Sequence, residues 1–237
     1  MNDRFFVVLV GARNPLNIGA AARAMSNFGF ANLRLVSPYP LAFREAKSAV
    51  GASTVLKRAE QYEKLADAVG DCSFIVGTTT ARNRKLDHEI HPLQEGAQLI
   101  REQLHSGEVA VLFGSEKHGL SNRDFSYCHG LMRIPTCDAN QSMNLGQAVA
   151  VCLYELARDR ATASQSEPRP TTPSTEIDRL TSILLEALLT SGYINASSAL
   201  TTEDNVRRLV RRFNLSPDDT HLLEGMLRQM LWKMRER

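Results

Sequence analysis

Net charge is nearly absent from this chain: 28 lysines and arginines stand against 26 aspartates and glutamates, leaving +2 over 237 residues. Bulk charge therefore does not announce a nucleic-acid binder, and any polyanion site has to come from local clusters of Arg and Lys. Paired cysteines are absent as well. Cys72, Cys128, Cys137 and Cys152 form no C-x-x-C pair, and no histidine stands at zinc-finger spacing from them. That argues against a zinc site or a disulfide framework and fits a reducing compartment, with Cys72 and Cys152 reading as small core residues. The apolar start at 5–10 is too short to cross a membrane and lacks the anatomy of a signal peptide. The expected location is the cytoplasm, with no membrane and no metal as partner. A G-x-G-x-x-G fingerprint is missing too, which speaks against a nucleotide-dependent oxidoreductase.

What is present is an ordinary globular composition, 43% hydrophobic and 23% charged, enough for one medium domain and a small appendage. Short apolar runs at 5–10, 33–36, 73–77, 109–114 and 131–134 read as strands. Helical patterns lie between them, from Asn17 to about 28 and at 61–69, 93–104 and 144–158. This alternation predicts an α/β fold with a parallel sheet flanked by helices, and the continuous apolar runs predict strands buried on both faces. Residues 161–175 (ATASQSEPRPTTPST) change character, with three prolines, many hydroxyls and little to bury, as in an exposed linker. The expected division is a domain at 1–160, a linker at 161–175 and a small all-α extension at 176–237. Thr175 and Asp178 resemble a capping box opening that extension. Ser216-Pro217-Asp218-Asp219 is a strong start for its last helix. Three helices in about 62 residues form a marginal core alone, so they are expected to dock on the main domain or a partner subunit.

Three clusters sit at strand-to-helix junctions, where open parallel sheets bind ligands. In NPLNIGAAAR, Asn17 reads as an N-cap, and Gly19 and Ala20 share a helix face with Arg23. Small residues around a cation either leave room for a ligand or serve close helix packing while Arg23 snorkels to water. In LFGSEKHGLS a buried strand ends at Gly114, and Glu116 either pairs with a cation or ligand or is an exposed loop acid; His118 reads as solvated. In QSMNLGQAVA, Asn144 with Gln147 fits a helix start, placing Ser142 and Asn144 at the helix mouth. A weaker element, GTTTARNRK, ends a strand in three hydroxyls and a basic loop suited to phosphates.

Taken in this order, NPLNIGAAAR, LFGSEKHGL, and IP followed by QSMNLGQAVAV resemble the three motifs of the TrmH-like branch of the SPOUT RNA methyltransferases, over about residues 4–158. Ser115 departs from the pattern, since many relatives carry a larger polar residue or Asn there. The helical tail beyond a Pro-rich linker resembles the bacterial TrmJ-type subgroup, which methylates the ribose 2′-hydroxyl of the nucleotide at position 32 in the tRNA anticodon loop. The resemblance implies a C-terminal trefoil knot, which sequence physics alone would argue against, and a homodimer with its active site near the interface. It also implies S-adenosylmethionine held by Thr78, Thr79, Thr80, Gly114, Ile134, Gln141, Ser142, Met143 and Leu145. Arg23 matches the family's proposed catalytic arginine, and Asn17, Glu116, Ser142 and Asn144 stand with it at the expected catalytic site.

Two basic clusters are candidates for gripping tRNA: Arg82, Arg84 and Lys85, and a helix face with Arg207, Arg208, Arg211 and Arg212 opposite Val206, Leu209, Val210 and Phe213. A solvated helix face is the alternative for the second. The rival functions are the same chemistry on another RNA, such as ribosomal RNA, and a catalytically silent RNA-binding protein of the same fold.

Overall fold

The computed structural model describes residues 2–48, 54–80, 88–137, 141–158, 171–194 and 199–236. Seven strands pair in parallel throughout: β1 (Phe5–Val10), β2 (Asn32–Val36), β3 (Glu60–Tyr62), β4 (Phe74–Thr78), β5 (Ile90–Pro92), β6 (Val109–Phe113) and β7 (Gly130–Arg133), in the order β3-β2-β1-β6-β4-β7-β5. The described helices are α1 (Pro15–Phe28), α2 (Pro40–Ser48), α3 (Thr54–Arg58), α4 (Leu65–Ala68), α5 (Leu93–Gln103), α6 (Asn122–Phe125), α7 (Leu145–Arg158), α8 (Ser174–Thr190), α9 (Ala199–Arg212) and α10 (Pro217–Arg235).

Both faces of the sheet are buried, which accounts for strands without polar alternation. Along β1, Phe5, Val7 and Leu9 join a core with Ile18 of α1, Ala97 of α5 and Val149 of α7. Val8 faces the other way, into a second core with Ala68, Ile75, Leu112, Phe125 and Leu131. Cys72 and Cys152 are buried free thiols in these cores, as expected. The five strands expected from the sequence all form.

The segment expected as a helix at 61–69 does not form one. Glu60–Tyr62 pairs with β2 instead, and only Leu65–Ala68 is helical. The cause is Arg34 of β2, whose buried guanidinium takes Asp71 through two bonds of 2.6 and 2.7 Å, Glu60 at 3.1 Å and the Ala68 carbonyl at 2.9 Å, beneath the Phe6 ring. A buried cation requires such partners, and providing them draws this segment across the sheet edge. Strands β3 and β5 are three residues each, too short for a periodicity to show.

The C-terminal helices dock on the second face of the sheet. Ser174 N–H donates to the Cys72 carbonyl, Thr175 N–H to that of Gly70, and the Thr171 hydroxyl to that of Ser106. Helix α8 therefore starts at Ser174, and Thr175 lies inside it rather than capping it, which corrects the capping box expected there. The start of α10 is as expected, with the Ser216 hydroxyl accepting from Asp219 N–H behind Pro217.

Helix α9 is rotated relative to the expected arrangement. Val206 and Val210 pack on α8, but Leu209 and Phe213 are exposed while Arg207 and Arg211 are buried. Arg211 reaches Asp178 of α8 at 2.7 Å. Arg207 bonds Glu203, Asp204 and the Ser126 hydroxyl, and both guanidinium groups lie near the Tyr127 ring, 4.7 and 5.6 Å from its centroid. Cation–π and ion-pair contacts outweigh the apolar stripe here because Tyr127 and Ser126 present polar and aromatic surface to α9. Arg207 and Arg211 are thus committed to fastening the tail and are withdrawn from the candidate RNA surface. Substituting Asp178→Asn strands the buried Arg211 cation and is expected to destabilise the protein by on the order of 3 kcal/mol in denaturant unfolding. An unchanged midpoint would show that the pair does not hold the tail in place.

Candidate functional site

Three strand ends converge on one cavity of about 290 Å³. Its walls come from Thr78, Thr79 and Thr80 after β4, from the turn Gly114–Gly119 after β6, and from Ile134, Gln141, Ser142, Met143 and Leu145 between β7 and α7. All nine positions expected to hold a cofactor line it. Phe113, Met132, Phe125 and Ala148 add apolar surface that the sequence reading did not assign to the site. Phe113, Met132 and Ala148 belong to apolar segments whose pattern core and pocket share, and Phe125 stands among polar neighbours in NRDFS with no pattern to mark it.

Gly114 sets the shape of the turn. A Cβ on it would lie 2.0 Å from the carbonyl carbon of Gly119 and 2.1 Å from Leu120 N, both backbone atoms. The turn closes over Gly114 because Gly119 adopts φ of 66°, a left-handed conformation, and its N–H donates to the Ser115 carbonyl at 2.8 Å.

Glu116 leaves this turn and caps the start of α1. Its carboxylate accepts from Arg13 N–H at 3.3 Å, Asn14 N–H at 3.2 Å and the Asn17 side-chain amide at 3.0 Å. Asn17 in turn accepts from the Asn144 side-chain amide at 2.8 Å, and the Asn144 oxygen accepts from Gly146 N–H at 2.9 Å to open α7. One chain of hydrogen bonds thus joins the three sequence clusters. Partial burial alone would raise the Glu116 pKa, but the bonds from Asn17 and the backbone N–H groups more than offset it and hold it below the ordinary carboxylate value. The stability this carboxylate contributes is fully present above that ordinary value and is lost as pH falls through the depressed one.

Asn17 is not the N-cap of α1, which corrects the sequence reading. Asn14 holds that position, accepting from Leu16 N–H at 2.9 Å with Pro15 following it. The signal was an Asn just ahead of a proline at the first helical position. Freed from capping, the buried Asn17 is the middle of the hydrogen-bond chain. The two readings of the small residues both find a place. A Cβ on Gly146 would lie 2.6 Å from that of Ala20, so Ala20 serves close packing of α1 on α7, whereas Gly19 faces open space.

Arg23 is exposed on α1 and lines neither described cavity, and no described residue bonds its guanidinium. Ser142 lies in the cavity wall, and Asn144 sits behind it at the helix mouth. Arg82, Arg84 and Lys85 lie outside the described residues. Arg208 is partly buried and Arg212 exposed on α9.

The SpoU rRNA Methylase family matches residues 4–154. A Pseudomonas aeruginosa protein named tRNA (cytidine/uridine/adenosine-2′-O-)-methyltransferase TrmJ is 33% identical over 96% of this chain and 93% of its own length. Among solved structures, TrmJ from Z. mobilis ZM4 superposes with a TM-score of 0.81 at 31% identity, covering 94% of this chain and 97% of that one. An AdoMet-bound rRNA methyltransferase from Sinorhizobium meliloti shares the fold, with a TM-score of 0.51 at 22% identity over 67% of this chain and 57% of that one.

The two turn glycines differ in what they tolerate. Gly114→Ala forces backbone apart and is expected to cost about 3 kcal/mol, roughly 6–12 °C in melting temperature. Gly119→Ala meets open space and bears only the left-handed strain, about 1 kcal/mol. Equal losses in a thermal scan would contradict this account of the turn.

Proposed function

The chain belongs to the SpoU rRNA methylase family, and on that premise we propose that it transfers a methyl group from S-adenosylmethionine to a ribose 2′-hydroxyl of tRNA, at a cytidine or uridine in position 32 of the anticodon loop. The observation that carries the choice of tRNA is that the similarity to tRNA 2′-O-methyltransferases runs beyond the family domain and through the helical tail. The relative substrate preference within that family is a property of the site, not of the fold.

The cavity suits the cofactor. Its volume lies at the lower end of the range for small-molecule pockets, about 300–1,000 Å³. It combines the apolar walls of Phe113, Ile134 and Leu145 with hydroxyls and a turn whose backbone a ligand can approach closely. Glu116, the one acid among the described lining residues, has its pKa held below the ordinary carboxylate value and favours a cationic ligand. Thr78, Thr79, Thr80, Gly114, Ile134, Gln141, Ser142, Met143 and Leu145 are the lining residues that would hold the cofactor. When bound, S-adenosylmethionine supplies a methyl group already activated on its sulfonium.

The chain's own work is then orientation, which contributes roughly 7–11 kcal/mol in well-aligned cases. Glu116, Asn17 and Asn144 hold the three loops in register. The role of Arg23 is to hold the neighbouring phosphate and stabilise the developing alkoxide. Because Arg23 lies outside the cavity of its own chain, the reading includes a homodimer in which a second copy brings α1 to the site. It also includes the trefoil knot, supported by the insertion of β6 and β7 between earlier strands. The division at 1–160, 161–175 and 176–237 and a cytoplasmic location belong to the same reading. Arg82, Arg84, Lys85, Arg208 and Arg212 remain its candidate tRNA contacts.

S-adenosylmethionine is expected to raise the melting temperature. Incubation with unmodified tRNA is expected to yield one 2′-O-methylpyrimidine, mapped by nucleoside mass spectrometry to position 32. Arg23→Ala is expected to lower turnover at least 100-fold with cofactor binding retained. A product elsewhere on tRNA would discard the position, and near-normal turnover of the variant would discard the role of Arg23. Absence of cofactor binding would overturn the reading as a whole.

A further inference from the structure

A second groove, of about 600 Å³, lies on the other side of the turn after β6 and shares Ser115, His118 and Gly119 with the cofactor cavity. It opens because two neighbouring strands end in the same unusual way. Gly11, after β1, has φ of 64°, and Ser37, after β2, has φ of 43°. The conformation costs little at glycine but is strained at serine, where it persists only if the surroundings fix it. Here the Ser37 hydroxyl donates to the Glu63 carbonyl at 2.7 Å, Ser37 N–H to Tyr62, and Gly11 N–H to Val36.

The strained turn presents Tyr39. Its backbone N–H is tied to the Ala12 carbonyl at 3.1 Å, yet the residue is 55% exposed at the groove. Arg13 also lines the groove; its backbone is held by Glu116, and no described residue bonds its exposed guanidinium. Asp124 also lines the groove, with its carboxylate engaged by Ser121 through backbone and hydroxyl at 2.7 Å. A rigid backbone thus displays an open aromatic ring and an unpaired cation beside the cofactor cavity. Single-stranded RNA is recognised by that combination: bases stack on aromatic rings, and phosphates meet arginine.

We propose that this groove is a subsite for a nucleotide of the RNA substrate adjoining the methylated one, its base stacked on Tyr39 and its phosphate held by Arg13. The inference rests on the methyl-transfer reading above. The shared wall explains why such a subsite matters, since a nucleotide fixed there sets where the neighbouring ribose lies relative to the cavity.

The test measures binding of unmodified tRNA by fluorescence anisotropy, and methylation kinetics where turnover is present, for the wild type, Tyr39→Ala, Tyr39→Phe and Arg13→Gln. Tyr39→Ala is expected to weaken tRNA affinity and raise KM on the order of tenfold, as loss of one base–aromatic stack entails. Tyr39→Phe keeps the ring and is expected to stay near wild type. Arg13→Gln is expected to reduce the slope of log affinity against log salt by about 1. S-adenosylmethionine affinity is expected to stay unchanged in all three. Wild-type tRNA affinity in Tyr39→Ala and Arg13→Gln would overturn the proposal, as would equal losses in Tyr39→Ala and Tyr39→Phe, or a parallel loss of cofactor binding. Wild-type protein that binds tRNA but forms no 2′-O-methyl product would overturn the methyl-transfer reading instead, while the binding comparison would still decide the subsite.

Discussion

The Glu116 carboxylate, the Asn17 amide and the Asn144 amide form a single hydrogen-bonded path across the carboxyl edge of the sheet. Asn17 is buried, and a buried polar group without a partner costs about 1–3 kcal/mol. Each member therefore constrains the next. The turn after β6 cannot shift without breaking its bonds to Arg13 N–H, Asn14 N–H and the Asn17 amide, and α1 cannot shift without disturbing the first turn of α7. Residues about a hundred positions apart in the chain are thereby fixed within a few ångströms. Two of the three cavity walls, the turn after β6 and the segment leading into α7, are tied together by these bonds through α1.

The sheet supplies the frame for this arrangement. Its strands run in parallel with both faces covered, so every strand-to-helix junction of one hand opens at the same edge. The tail braces the frame from the second face. Arg207 and Arg211 engage Ser126, Tyr127 and Asp178, and the segment they hold begins at α6, whose Phe125 lines the cavity. The tail thus bears on the site through packing.

Much of this was legible in the sequence. Continuous apolar runs marked all five central strands, and three clusters at strand ends marked the site. The chemistry of the clusters was legible through the resemblance of the three motifs taken together, since residue by residue capping, close packing and a solvated loop acid account for them as well. What stayed hidden depends on contacts distant in sequence. Asn17 has the composition of a cap, and only its bonds to Glu116 and Asn144 show another role. The 61–69 segment has a helical pattern, and only the buried charge of Arg34 explains the strand in its place. The face of α9 was misread because Arg207 and Arg211 carry charge, and charge usually faces water. The groove beside Tyr39 left no pattern at all, since a strained serine and a lone tyrosine have no periodicity.

Neither Asn17 nor Asn144 lines the cavity proposed for S-adenosylmethionine, so the most direct test of the path is S-adenosylmethionine affinity in Asn17→Ala, measured by calorimetry with folding checked by circular dichroism. A folded variant that binds the cofactor at least about tenfold more weakly, equivalent to some 1.4 kcal/mol, is the expected result. A folded variant with wild-type affinity would show that the loops hold their positions without the path, and the central claim would fail.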